Sequence, residues 1–293
     1  MDGRVAIVNG FGRTLGDGII GLQALHAVRA LGLLRREAVL FRLVMPSPVI
    51  EGVYAAAADL AEIRVLPWED ATPARPFAGA TGFAEVIDMR DFAFDPDFRG
   101  VAMIDYFLRR LGADPASVPA AWKRNTWLAP RVAAPAPAAG GAAGGYVLVC
   151  PRTANPMRDM PEAVQARILA WLERHCGVPV LTQARLPPAA SLDALCALVG
   201  GARLVVSADT AMVHLADAMG VACLAFFTTH DPAWRVRDYP LCRSVHLRPE
   251  GLPPALEFPR GAEDVAAARA AWDALGADGA ETALRGGWAA VAG

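Results

Sequence analysis

The segment Ser207-Ala-Asp-Thr-Ala-Met-Val-His-Leu-Ala216 carries residue types suited to holding an anion. Ser207, Asp209 and Thr210 stand where an apolar run, 202–206, gives way to a helical stretch. His214 follows Thr210 by four residues, about one helical turn, and so faces the same way. A helix start exposes unpaired N–H groups and the positive end of the macrodipole, and after a strand it is a place to hold phosphate. In the first half, Gly10-Phe-Gly-Arg-Thr-Leu-Gly-Asp-Gly18 sets Asp17 between two glycines where a loop becomes a helix. A carboxylate there can take a proton from a hydroxyl as a general base, or cap the helix; both readings stand. The G-x-G-x-x-x-G spacing is a near miss for the dinucleotide fingerprint, and Met45-Pro-Ser-Pro48 occupies the place of its acidic partner. Plainer readings run alongside: Asp209 as an N-cap, His214 packed within its helix and Arg158 as a solvated loop residue; His230-Asp-Pro232 and Trp234-Arg235, beyond the last predicted strand, read either as a contact for nucleotide or acceptor or, more simply, as a surface turn.

Such residues need elements to position them. Apolar runs at 4–9, 38–44, 63–66 and 84–88 read as strands, alternating with helical patterns at 19–31, 49–60 and 100–111. The second half repeats the pattern: strands at 146–150, 178–182, 202–206 and 221–227, helices at 161–175, 191–199 and 263–275. Alternation of this kind predicts parallel sheets covered by helices. The Pro/Ala/Gly-rich stretch 129–145 has one charge and no hydrophobic period. It predicts a first domain over 1–130, a linker over 131–145 and a second domain over 146–293, with a ligand cleft between the domains. Trp122-Lys-Arg-Asn-Thr-Trp127 is expected to pack on the interdomain surface.

The 293 residues are 54% hydrophobic with a formal charge of −2, enough for a sizeable core and too little positive charge for nucleic acid as the main partner. Five widely spaced cysteines form no C-x-x-C pair, so neither a zinc site nor a disulfide framework is indicated. No apolar run approaches the ~20 residues of a membrane span, and the N-terminus does not read as a signal peptide. A cytoplasmic protein is expected.

Four segments together resemble the family 9 glycosyltransferases, the heptosyltransferases and their relatives. They are Val5–Val8 with Leu15-Gly-Asp-Gly-Ile-Ile-Gly-Leu-Gln-Ala-Leu25, Cys150-Pro-Arg-Thr153 with Arg158-Asp-Met-Pro161, Ser207–Ala216, and Ala225-Phe-Phe-Thr-Thr-His-Asp-Pro232. The third is similar to the family's D-T-G-x-x-H-L-A signature. The resemblance implies an α/β GT-B fold, two Rossmann-like domains with parallel sheets. It implies an inverting, metal-independent enzyme without cofactor that takes a nucleotide-diphosphate sugar, ADP-linked by family habit. The acceptor would be a glycan or glycolipid of lipopolysaccharide type, reached by peripheral contact with the inner membrane's cytoplasmic face. Carried over residue by residue, it makes Asp17 the catalytic base and assigns Thr14, Thr153 and Arg158 to the donor diphosphate. Asp209 would read donor hydroxyls, the backbone of Thr210 and Ala211 would cradle phosphate, and His214 is the motif's histidine. The chain departs from the pattern at Ala211 and Thr228, where the family has glycine, at Arg158 for lysine and at Met160 for tryptophan. A Cβ at residue 211 is tolerable only in a helical conformation. Two alternatives follow: a nucleotide-sugar-binding protein without turnover, motivated by Ala211 and Thr228, and a nicotinamide-dependent oxidoreductase.

Overall fold

A computed structural model describes residues 2–133, 145–254 and 256–290. Most of the expected linker, 131–145, lies outside them. The chain divides into two compact units, Met1–Ala133 with Ala189–Leu195, and Ala134–Pro188 with Cys196–Gly293. The short segment 189–195 therefore groups with the first unit, although it follows the linker in sequence.

The first unit is built on β1 (Asp2–Val8), β2 (Ala38–Arg42), β3 (Glu62–Val65) and β4 (Phe83–Asp88), a parallel sheet in the order β3-β2-β1-β4. Its helices are α1 (Leu15–Ala30), α2 (Pro48–Ala56) and α3 (Met103–Arg110). Central β1 and β2 are buried through Val5–Val8 and Ala38–Arg42, which is why they read as unbroken apolar runs. Helix α1 starts four residues earlier than the hydrophobic period suggests. Thr14, extended at φ −99° and ψ 157°, accepts the Asp17 N–H at 3.2 Å and caps it. Trp127 is fully buried, donating Nε1–H to Ile19 O at 2.9 Å, while Gln23 bridges the Trp127 N–H and the Trp122 carbonyl.

The second unit carries β5 (Tyr146–Cys150), β6 (Val180–Thr182), β7 (Ala202–Ala208), β8 (Ala222–Phe227) and β9 (Cys242–His246), parallel in the order β6-β5-β7-β8-β9. Its helices are α4 (Glu162–His175), α6 (Ala211–Ala218) and α7 (Ala262–Ala289), with α5 (Leu192–Gly200) beginning in segment 189–195. Val147, Val149, Leu204, Val206, Leu224 and Phe226 of the central strands meet Ile168 and Leu172 of α4 and Trp272 and Leu284 of α7 in one core. Met160, at the family's tryptophan position, is part of that core. Helix α7 runs past the expected end at 275, across a kink at Gly276 (φ 64°, ψ −174°). Among the described residues, no helix is long and apolar enough to cross a membrane.

Candidate functional site

In the second unit, β7 delivers Ser207 and Ala208 to the carboxyl end of the sheet, and Asp209 and Thr210 turn the chain into α6. Thr210 is extended (φ −137°, ψ 171°), and its hydroxyl accepts the Met212 N–H at 3.1 Å. Its carbonyl takes the Val213 N–H at 3.1 Å. The Ser207 hydroxyl donates to Ala208 O at 2.7 Å and lies 3.2 Å from Thr210 Oγ1. Two of the first amides of α6 are thus used by the cap, and neither bond uses the Ala211 N–H. Ala211 is helical, so its Cβ meets no backbone conflict.

Asp209 is buried at the head of this helix. Its Oδ2 lies 2.8 Å from His230 Nδ1 and 3.5 Å from Arg158 Nη1. Burial alone would raise its carboxyl. The His230 hydrogen bond and the charges of Arg158, His230 and Arg235 outweigh that and hold it well below the usual carboxylate range. His230 Nε2 meets Glu257 Oε1 at 2.9 Å, and Arg235 Nη2 reaches the same oxygen at 3.4 Å. Glu257 is also lowered, burial being outweighed by His230 and the two arginines. His230 is therefore no surface turn; it is completely buried between two carboxylates. The sequence marks His230 only as a turn residue that could reach a ligand, not as a partner of Asp209, and gives no sign of Glu257. His214 is buried on α6, with Nδ1 2.9 Å from the Tyr239 hydroxyl, and burial depresses it to about 4.

Arg158 comes from the loop after β5, which is tied to itself. The Thr153 hydroxyl donates to Asn155 O at 2.6 Å and accepts the Asn155 N–H at 2.9 Å, and Asp159 Oδ1 accepts the Thr153 N–H at 2.7 Å. Asn155 Nδ2 donates to Glu257 O at 2.8 Å, and the Thr228 hydroxyl donates to Met157 O at 2.8 Å. Glycine at 228 could not make the last bond; Thr228 fastens the end of β8 to the residue before Arg158.

In the first unit, Asp17 is half-buried in the first turn of α1. The loop before it holds four successive residues at positive φ: Asn9 (73°), Gly10 (37°), Phe11 (65°) and Gly12 (90°). For asparagine and phenylalanine this is a strained conformation that its surroundings must impose. Gly12 N–H donates to Asn9 O at 2.9 Å, Asn9 Nδ2 to Met89 O at 3.1 Å, and the buried Tyr54 hydroxyl to Gly10 O at 2.5 Å. A Cβ on Gly12 would stand 2.9 Å from Phe92 and 3.1 Å from Asp17 Oδ2, so that glycine lets the loop pass the carboxylate. Arg42 stacks 4.1 Å from the Tyr54 ring centroid and grips Glu51 through two 2.7 Å bonds. Among the described residues, no group of three or more His, Cys, Asp or Glu side chains could hold a metal ion.

Two parallel, helix-flanked sheets of Rossmann type, with polar residues at strand ends, make the fold GT-B. Residues 144–244 match the family model of glycosyltransferase family 9 (heptosyltransferase). Solved structures agree on the fold. The E. coli heptosyltransferase WaaC with ADP-2-deoxy-2-fluoro heptose is similar at 15% identity and TM-score 0.53, over 83% of this chain and 92% of that one. E. coli ADP-heptose LPS heptosyltransferase II is similar at 12% identity and TM-score 0.55, over 93% and 99%. The iron-containing dodecameric glycosyltransferase TibC from enterotoxigenic E. coli H10407 gives 16% identity and TM-score 0.64, over 98% and 76%. No curated protein matches the chain.

Proposed function

We propose that the protein transfers a sugar of heptose type from a nucleoside-diphosphate donor to a glycan or glycolipid acceptor, with inversion and without a metal. The observation that carries this reading is the Arg158–Asp209 pair at the head of α6, inside the family-matched segment. Two of the similar structures are described with an ADP-linked heptose, which supports a nucleotide sugar as donor here. In this reading Asp209 accepts from donor hydroxyls, and Arg158 with the Ala211 N–H meets the charge growing on the departing diphosphate. Thr14 fixes the turn that presents Asp17; Thr153 shapes the Arg158 loop, and His214 supports α6 through Tyr239. Asp17 takes the proton of the acceptor hydroxyl, which attacks the anomeric carbon from the side opposite the leaving phosphate. The reaction belongs in the cytoplasm, at the inner membrane's inner face where the acceptor is lipid-linked.

Asp17→Asn tests the reading. Transfer from ADP-heptose should fall by at least ~100-fold, the effect of losing a general base, with ADP affinity retained. Unchanged transfer rejects Asp17 as the base. A protein that binds ADP-heptose but transfers nothing in either form is a binder.

A further inference from the structure

Tyr54 stands on α2 with its side chain buried and its hydroxyl donating to Gly10 O at 2.5 Å. The first turn of α1 lies on the other side of that oxygen, for a Cβ on Gly18 would stand 3.2 Å from it. One atom of α2 therefore sits against the chain on both sides of Asp17, at the strained loop before it and at the residue directly after it. A phenylalanine would fill the same ring space, so the ring serves packing and the oxygen serves the loop.

The loop needs such holds, because Asn9, Gly10, Phe11 and Gly12 all have positive φ. Phe11 is anchored by packing. It is fully buried, its ring lies edge-on to Phe107 with centroids 5.2 Å apart, and it fills the space that a Cβ on Gly21 would need. Asn9 is anchored through Nδ2 to Met89 O at 3.1 Å. Gly10 between them is buried and has no side chain to anchor, and its carbonyl is held by Tyr54. The tyrosine is itself braced. Arg42 Cζ lies 4.1 Å from its ring centroid, and the guanidinium takes two 2.7 Å bonds to Glu51, whose Oε1 also accepts the Met45 N–H at 2.9 Å. Burial pushes the Tyr54 hydroxyl up, with Arg42 opposing and the carboxylates of Asp17 and Glu51 adding, so it stays protonated and donates at neutral pH.

We propose that Tyr54 is a positioning residue for Asp17: its hydroxyl holds the Gly10 carbonyl against the start of α1 and so fixes the direction in which the Asp17 carboxylate meets an acceptor hydroxyl, an assignment that rests on the reading of Asp17 as the base.

Tyr54→Phe deletes the oxygen and keeps the ring. With ADP-heptose as donor and heptose-free lipopolysaccharide as acceptor, ADP release should show kcat falling by about tenfold to a hundredfold, the cost of a misplaced catalytic group, while KM for ADP-heptose stays within about twofold. Tyr106→Phe removes a hydroxyl bonded to Asp95 at 2.8 Å in the same unit and should leave kcat unchanged. Tyr54 acts through Asp17, so Tyr54→Phe should cost nothing further in the Asp17→Asn background; a cost that adds in full marks a general loss of structure and overturns the proposal. Hydrogen exchange reads the loop without turnover. The Gly12 and Asp17 amides, bonded to Asn9 O and Thr14 Oγ1, should exchange about tenfold faster or more in Tyr54→Phe, beyond any change in the β1 amides. Unchanged exchange at those two amides overturns the proposal whatever the enzyme does. Full transfer in Asp17→Asn, or a wild type that releases no ADP, overturns the base reading and the role of Tyr54 with it. Reduced transfer in Asp17→Asn with full transfer in Tyr54→Phe overturns the role of Tyr54 alone.

Discussion

Thr228→Val isolates the bond that anchors the Arg158 loop. The substitution keeps the branched shape and exchanges the hydroxyl for a methyl group. Thr228 is buried, and its hydroxyl donates to the carbonyl of Met157, itself fully buried, at 2.8 Å. After the exchange that carbonyl has lost a partner that water cannot readily replace. Leaving a buried neutral acceptor unsatisfied costs about 1–3 kcal/mol. At about 2–4 °C per kcal/mol for a unit of this size, the melting temperature should fall by roughly 2–12 °C. Met157 immediately precedes Arg158, so a loosened carbonyl also frees the guanidinium to wander, and ADP affinity should drop several-fold. Urea unfolding and ADP titration measure the two effects separately. Thr228→Ser is the control: it keeps the donor and loses one methyl, about 0.8 kcal/mol, with affinity preserved. If the Val variant unfolds at the wild-type urea concentration and binds ADP equally well, the loop is held by something else and the reasoning fails.

Two further perturbations probe the supports of each site. His214 is depressed from 6.5 to about 4 by burial, so the folded protein resists a proton that the unfolded chain accepts. Its share of stability is complete above pH 6.5 and is lost as pH falls towards 4. Between pH 7 and pH 5 that share declines by about 2 kcal/mol, and urea unfolding should show His214→Gln less sensitive than wild type over this window by about that amount. In the first unit, a Cβ on Gly21 would stand 2.1 Å from Phe11 Cγ. Gly21→Ala should therefore cost roughly 1–3 kcal/mol by overpacking, seen as a lower melting temperature, and should disturb the strained loop ahead of Asp17.

The strands were readable because parallel strands buried on both faces must be apolar throughout, as Val5–Val8 and Val147–Cys150 are. Edge strand β9 was not. Cys242-Arg-Ser-Val-His246 is half-exposed, and its mixed composition carries no period that separates it from a loop. The start of α1 was misplaced because Gly16 and Gly18 interrupt the apolar spacing. The signal that could have corrected it is Thr14 with Asp17 three residues on, the local pattern of a capped first turn. The long α7 was cut short in prediction because Gly276 breaks the helical dihedrals at a point where the chain afterwards resumes the helix.

The site residues divide along the same physical line. Thr14 and Thr210 act on amides two or three residues away, so sequence spacing alone specifies their contacts. Thr228 reaches across 71 residues to Met157, and His230 spans 21 residues to Asp209 and 27 to Glu257. The contact of His230 with Asp209 is fixed only when β7 and β8 pair in register and bring their carboxyl ends together, with Ala208 opposite Phe226, while Met157 and Glu257 arrive in the segments after β5 and β9. The signature around Asp209 was therefore legible as a local motif, while the groups that set its charge and hold its cation were not. Their sequence neighbourhood, a histidine beside Asp231-Pro232 and a glutamate in a segment without period, has the composition of a turn. Read locally, the motif supplies an acid and a helix start. The register of β7 and β8 adds the histidine that stands 2.8 Å from the motif's Asp209 and 2.9 Å from Glu257.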